Sequence, residues 1–176
     1  MPLFDAADAE IEEIAALINS AYRGEGSQAG WTTEADYIDG QRTDPAMLRA
    51  DLAAQPGARL LVLRDATLNP ALGCVWLEPA AGGAWYLGLL TVRPDLQDRG
   101  TGRALLAEAE LVAGAAGARR IRMTVVSIRD ALIAWYQRRG YALTGETAPF
   151  PYADPKFGVP RRPDLVFAIL EKALPA

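Results

Sequence analysis

From Val92 to Leu106 the sequence reads VRPDLQDRGTGRALL, where a strand-like run stops at a proline, crosses a polar segment and becomes an alanine- and leucine-rich helix. Gly100 and Gly102 fall where the first free N–H groups of that helix must lie. A helix leaves those groups without intrahelical acceptors, and its dipole makes that end partly positive. Glycine, with no Cβ, lets a ligand approach the main chain there. Such an arrangement is an anion site, and phosphate is the expected guest. Two phosphate motifs are excluded. A dinucleotide fingerprint needs glycine or alanine where Leu105 stands and an acidic residue after the next strand, which ends Thr124–Val125–Val126. The lysine of a nucleotide-triphosphate loop is missing as well.

What the chain lacks narrows the chemistry further. It contains no histidine and one cysteine, Cys74. Ser–His and Cys–His nucleophiles are therefore excluded, and with them the commonest transition-metal ligand, so no metal is expected. Cys74 lies in the strand-like run ALGCVWLEP and reads as a small core residue.

The elements that must position this helix start follow from periodicity and turn signals. Ile11, Ile14, Ala15, Ile18 and Tyr22 share one face of a helix over 8–22, with Asp5 or Asp8 as its N-cap. Asp44–Pro45 opens a second helix. ARLLVLRD, ALGCVWLEP and AWYLGLLTV read as three strands, joined by turns at Asn69–Pro70 and Gly82–Gly83. Then come a helix over 100–117, a strand over 120–126, a helix over 128–139, a strand over 141–146 and a last strand near 165–171. The helix from 100 presents Leu105, Leu106, Ala109, Val112, Ala113 and Ala116 as one stripe. A strand entering this helix and another leaving it make a βαβ unit inside a mixed sheet.

The defined positions Val92, Pro94, Gln97, Gly100 and Gly102 fill the pattern V-x-P-x-x-(Q/R)-x-x-G-x-(G/A). The stretch thus resembles motif A of the GNAT superfamily of acyl-CoA-dependent N-acetyltransferases, most specifically over residues 86–141. The resemblance implies an α/β fold in which a mixed, strongly bent sheet is flanked by about four α-helices. Acetyl-CoA is implied as co-substrate. The backbone of Leu90 and Val92 would pair with its pantetheine arm. The Gln97 side chain and the amides of Asp98, Arg99, Gly100, Thr101, Gly102 and Arg103 would hold its diphosphate, with Arg99 and Arg103 adding positive charge.

A second informative stretch is SIRDALIAWYQRRGY, 127–141. Ser127 and Asp130 read as a capping box, Gly140 as the helix stop, and Ile128, Ala131, Leu132, Trp135 and Tyr136 as one stripe. In the family a tyrosine at the place of Tyr136 sits near the cofactor sulfur, which implies a general acid for the departing thiolate. Arg129 stands where the family often has asparagine, and Tyr86 where many relatives place a glutamate base. Glu78 and Glu146 are other candidates for that base.

Two irregular segments, 23–44 and 147–163, are expected to wall the acceptor pocket. The first carries Glu25, Glu34, Asp36 and Asp39 beside Trp31 and Tyr37; the second ends in Arg161–Arg162. Acidic groups there suit a cationic amine, and the arginine pair suits a carboxylate. Trp31, Tyr37 and Tyr86 are the expected substrate contacts.

At 176 residues, 51% hydrophobic and with net charge −4, the chain suits one globular domain over 1–176. An acidic balance argues against nucleic acid or an anionic membrane as partner. A lone cysteine and an acidic start fit the cytoplasm. The expected activity is transfer of acetyl from acetyl-CoA to the primary amine of a small metabolite in a ternary complex. A peptide amine, or a non-catalytic acyl-CoA sensor, is the alternative. Family members commonly dimerise, so a homodimer is a possible assembly.

Overall fold

The structure, a computed structural model, describes residues 3–66 and 69–175. Its elements in order are β1 (Leu3–Asp5), α1 (Ile11–Tyr22), β2 (Ile38–Asp39), α2 (Pro45–Ala54), β3 (Arg59–Leu63), β4 (Gly73–Pro79), β5 (Ala84–Val92), α3 (Thr101–Ala115), β6 (Arg120–Val126), α4 (Asp130–Gln137), β7 (Ala142–Pro149), β8 (Val159–Pro160) and β9 (Val166–Ala173). Seven strands form one mixed sheet in the order β1-β3-β4-β5-β6-β9-β7, and β2 pairs with β8 in a small second sheet. β5 and β6 are parallel, bridged by α3 as the βαβ pattern requires; the other pairs are antiparallel.

Strand alternation sorts the core into two layers. Leu61, Leu63, Val75 and Leu77 face α3 and α4, where Leu105, Leu106, Ala109 and Ala113 close on them. Leu60, Val62, Cys74 and Trp76 point the other way, onto Ile11, Ile14 and Ile18 of α1. Cys74 is fully buried there, a core residue as expected.

Two features of β5 open the sheet. Its pairing with β6 covers only Ala84, Trp85 and Tyr86, so the two parallel strands part beyond Tyr86. On its other side Cys74 pairs with Thr91 but Trp76 with Gly88, so Leu89 and Leu90 together face the single Val75. The extra residue is a β-bulge, and Leu89 adopts a left-handed φ of 49° to accommodate it. The bulge shifts the phase of the strand: Trp85 and Leu87 lie on the α3 side, and after it Leu90 and Val92 do.

Several local expectations are corrected. Neither Asp5 nor Asp8 caps α1: Asp5 pairs with Arg59 and Asp8 with Arg49. Instead Glu10 accepts from the Ala7 N–H at the head of a 3-10 turn leading into the helix. Ser127 forms no capping box, because its N–H is spent on Val166 O and α4 begins later, with Arg129 as its uncapped N-cap residue. Strands β1, β2 and β8 were not anticipated, since each is only two or three residues long. By contrast Asp44 does cap α2, accepting from Met47 N–H at 2.8 Å with Pro45 following.

Candidate active site

At the head of α3, Gly100 is the N-cap residue with φ 84°, a left-handed conformation that a Cβ would strain. Its carbonyl accepts the first helical bond, from Ala104 N–H at 3.0 Å. The N–H groups of Thr101, Gly102 and Arg103 therefore have no acceptor within the helix. A Cβ on Gly102 would meet Trp135 and Val92 only at 3.5–3.6 Å, so the protein itself leaves room for one. Glycine at this position keeps the helix head open rather than relieving a clash.

Before it lies a cavity of about 220 Å³ lined by Leu90, Val92, Gln97, Asp98, Gly100, Gly102 and Arg103, with Trp31, Tyr136 and Arg139 among the other walls. Arg99 is exposed and Thr101 half-buried at the helix start; neither lines the cavity. Gln97 has a use its motif position does not reveal. Its Nε2 donates to Val92 O (3.1 Å) and Thr32 Oγ1 (3.0 Å), and its Oε1 accepts from Trp31 N–H (2.9 Å). These bonds staple the 24–33 loop to the end of β5 and occupy the amide that was expected on a diphosphate. Trp31, expected on the acceptor side, stands instead on this side, its ring 6.2 Å from that of Trp135.

A second cavity, about 370 Å³, opens where β5 and β6 part. Tyr22, Leu90, Leu132 and Tyr136 line both cavities, so the two chambers meet at that wall. Tyr22 OH donates to Leu90 O at 2.5 Å, anchoring the bulge to the end of α1, and burial pushes its phenol up to about 12. Tyr136 is 5% exposed and packed edge-on between Trp135 and Tyr141. Burial drives its phenol well above the ordinary tyrosine value, so it stays protonated through the alkaline range. Among the described residues its hydroxyl has no hydrogen-bond partner.

Charge in the second chamber is supplied by Arg23, Arg42, Arg129 and Glu34. Glu34 is buried and accepts from Arg23 on one oxygen (3.0 Å) and Arg129 on the other (3.1 Å). Arg129 also donates to Thr32 O at 2.6 Å and lies over the Tyr22 ring. The arginine that departs from the family's asparagine is therefore a bolt between α4 and the 24–40 loop. Tyr86 lines this chamber, its hydroxyl 3.2 Å from Thr124 Oγ1. Tyr37 does not: it packs behind, with Ile38, Phe150 and Leu165. Glu78 accepts from Trp76 Nε1, and Glu146 pairs with Arg122, so neither base candidate faces the cleft. Asp39 is tied to Arg161, and Asp164 to Arg162, on the surface. The arginine pair expected to hold a carboxylate is thus spent outside the pocket. Arg23 and Arg42 carry no signal in the sequence, and Tyr22 shows there only as a face residue of its helix, because all three lie far from the motif.

The acetyltransferase (GNAT) family model matches residues 11–141, which holds the whole lining of the first chamber, the glycine helix start and part of the lining of the second chamber. The chain belongs to the GNAT acetyltransferase family. As a GNAT protein it is an acyltransferase, and solved structures share its fold. A ribosomal-protein-alanine N-acetyltransferase from Brucella melitensis superposes with a TM-score of 0.69 at 20% identity, covering 99% of this chain and 100% of that one. An N-acetyltransferase from Staphylococcus aureus Mu50 gives 0.70 at 16% identity, covering 98% of both chains. Nourseothricin acetyltransferase gives 0.56 at 21%, covering 68% of this chain and 67% of its own. No curated protein sequence matches significantly. Among the described residues no helix is long and apolar enough to cross a membrane, and no cluster of three or more His, Cys, Asp or Glu is placed to hold a metal.

Proposed function

We propose that this GNAT protein transfers acetyl from acetyl-CoA to the primary amine of a small metabolite, by direct attack while both substrates are bound. The observation that carries the reading is the pair of chambers meeting at Tyr22, Leu90, Leu132 and Tyr136. One chamber offers bare amides to a diphosphate; the other is walled on several sides and suits a compact acceptor.

Acetyl-CoA supplies an activated acetyl thioester. In this reading the N–H groups of Gly100, Thr101, Gly102 and Arg103, with the guanidiniums of Arg99 and Arg103 in support, hold its diphosphate. The edge of β5 around Leu90 and Val92, which β6 no longer occupies, pairs with the pantetheine arm, although its carbonyls also accept from Tyr22 and Gln97. Tethering of this kind raises the effective concentration of the reacting carbonyl beside the amine. The amine nitrogen forms the new N–C bond as the C–S bond breaks. Tyr136 gives its phenolic proton to the departing sulfur and recovers one from solvent; the nitrogen releases its own proton to water. Glu34 is the carboxylate of the acceptor chamber, and its grip on two guanidiniums suits it to holding the walls rather than to taking that proton.

A panel of small amines tests the reading, with release of free thiol from acetyl-CoA and the mass of the N-acetylated product as readouts. Turnover with compact amines is expected. Turnover with peptides alone would transfer the activity to a peptide acceptor, and tight acetyl-CoA binding without turnover would mark a sensor.

A further inference from the structure

The acceptor chamber is unbalanced in charge. Its walls carry three guanidiniums, Arg23, Arg42 and Arg129, against one carboxylate, Glu34. Two of the three are already engaged with the protein. Arg23 spends Nε and Nη2 on Glu34, with Nη1 on Gln41 O and Nη2 also on Phe157 O. Arg129 spends Nη1 on Glu34 and Nη2 on Thr32 O. Both Glu34 oxygens are thereby consumed, and the bolt keeps one positive charge in excess.

Arg42 adds a second and is bound differently. Its backbone N–H is fixed by Asn19 Oδ1 at 2.7 Å, while its guanidinium rests over the Phe157 ring at 5.8 Å. Among the described residues that guanidinium has neither a hydrogen bond nor an ion pair. It is half-buried, steered by an aromatic face and open to the cavity. A planar fork of donors held in this way matches a carboxylate, which it can receive through two parallel bonds. The chamber also has an apolar wall, Ile38, Met123, Phe150, Phe157 and Phe167, which suits a hydrocarbon side chain carried beside such a carboxylate.

We infer that the acceptor is an amino acid: its amine meets the thioester at the Tyr136 wall and its carboxylate is received by Arg42. The inference rests on the acetyl-transfer reading above and narrows it.

Matched acceptors decide it. Leucine and phenylalanine are compared with their carboxamides and with the decarboxylated amines, using the full chain and acetyl-CoA. The amino acid is expected to exceed its neutral partners in kcat/KM by on the order of 10²-fold, as for a charged hydrogen-bonded group in a partly desolvated site. In Arg42→Gln that preference should fall to near parity, mainly through a higher KM for the amino acid. Arg42→Lys, which keeps the charge but loses the fork, should retain part of it. Neutral amines acetylated as well as the amino acids would overturn the inference and leave the acetyl-transfer reading standing. An undiminished preference in a folded Arg42→Gln protein would remove Arg42 from the account. Failure to acetylate any amine would sink both.

Discussion

The two halves of the cleft are built from different materials. On the α3 side most polar groups come from one continuous stretch, Leu90 to Arg103, whose main-chain amides and strand edge are joined by the Gln97, Asp98 and Arg103 side chains, with Thr32 and Arg139 added from outside it. On the acceptor side they are side chains drawn from distant segments: Arg23, Glu34 and Arg42 before the sheet is complete, Tyr86 from β5, Thr124 and Arg129 after it. A site made of backbone is written locally, in glycines and a helix start. A site made of side chains exists only after folding brings remote positions together. The first kind constrains sequence tightly and suits a ligand common to a family; the second is free to vary with the acceptor.

The sharpest way to break this contrast is at the wall both halves share. Tyr136→Phe preserves the ring and its packing but removes the proton. Loss of a positioned general acid should lower kcat by about 10²–10⁴-fold. Acetyl-CoA affinity, measured by calorimetry, should hardly change. Equal kcat in the two proteins would reduce Tyr136 to an aromatic wall. Because burial raises its phenol, the native enzyme should also show no loss of this acid as pH climbs toward the ordinary tyrosine value.

Next in size comes the bolt of the acceptor half. Glu34 and Asp39 lie in one acidic segment, and sequence alone ranks them alike. Glu34 is 7% exposed between two guanidiniums, whereas Asp39 meets Arg161 on the surface. Glu34→Ala leaves Arg23 and Arg129 buried without their counter-charge and should cost about 3 kcal/mol or more in stability. Asp39→Ala should leave the denaturation midpoint nearly unmoved. Denaturant titration of both variants, side by side, checks this; similar midpoints would mean that the buried network is not structural.

The two glycines separate room from conformation. At Gly102 an added Cβ finds its neighbours at contact distance, and the branches of Gly102→Val add bulk at the helix head proposed to hold the diphosphate. Acetyl-CoA affinity should fall by about 10-fold or more, with stability changed little beyond valine's helix propensity. Gly100→Ala meets no atom within 4 Å, yet is forced to φ 84°. It should lose about 1–2 kcal/mol of stability while acetyl-CoA binding by the folded protein is reduced less than in Gly102→Val. The reverse pattern would assign the cradle to the wrong glycine.

These contrasts also explain what could be read before folding. Periodicity and turn residues suffice for β3 to β6, α1 and α3, because each is long and its pattern is local. The βαβ unit and the open helix head follow from a single stretch. β1, β2 and β8 are too short to carry a period, and the phase shift in β5 is hidden because the two residues of the bulge, Leu89 and Leu90, are both apolar. For the acceptor half, composition pointed to charged loops but not to which charges turn inward. Arg161 and Arg162 each have a carboxylate within reach on the surface, while Arg23 and Arg129 converge on Glu34 across gaps of 11 and 95 residues. Only contact geometry distinguishes them.

The smallest effect is expected behind β5, at a residue that belongs to neither half. Cys74 is fully buried on the α1 side of β4, and burial pushes its thiol up to about 12. A thiolate is the reactive form, so the native protein should resist labelling by a thiol reagent at pH 8 and become fully reactive in denaturant. The folded value lies above the unfolded one of about 8.5, so the unfolded chain releases this proton first. The stabilising contribution of the buried neutral thiol is therefore complete below about pH 8.5 and lost as pH rises toward 12. Cys74→Ala should remove that alkaline component while leaving acetyl-CoA binding and turnover at neutral pH close to those of the parent. A marked loss of turnover in that variant, with stability intact, would tie the α1 side of the sheet to the chemistry and erase the division between the halves.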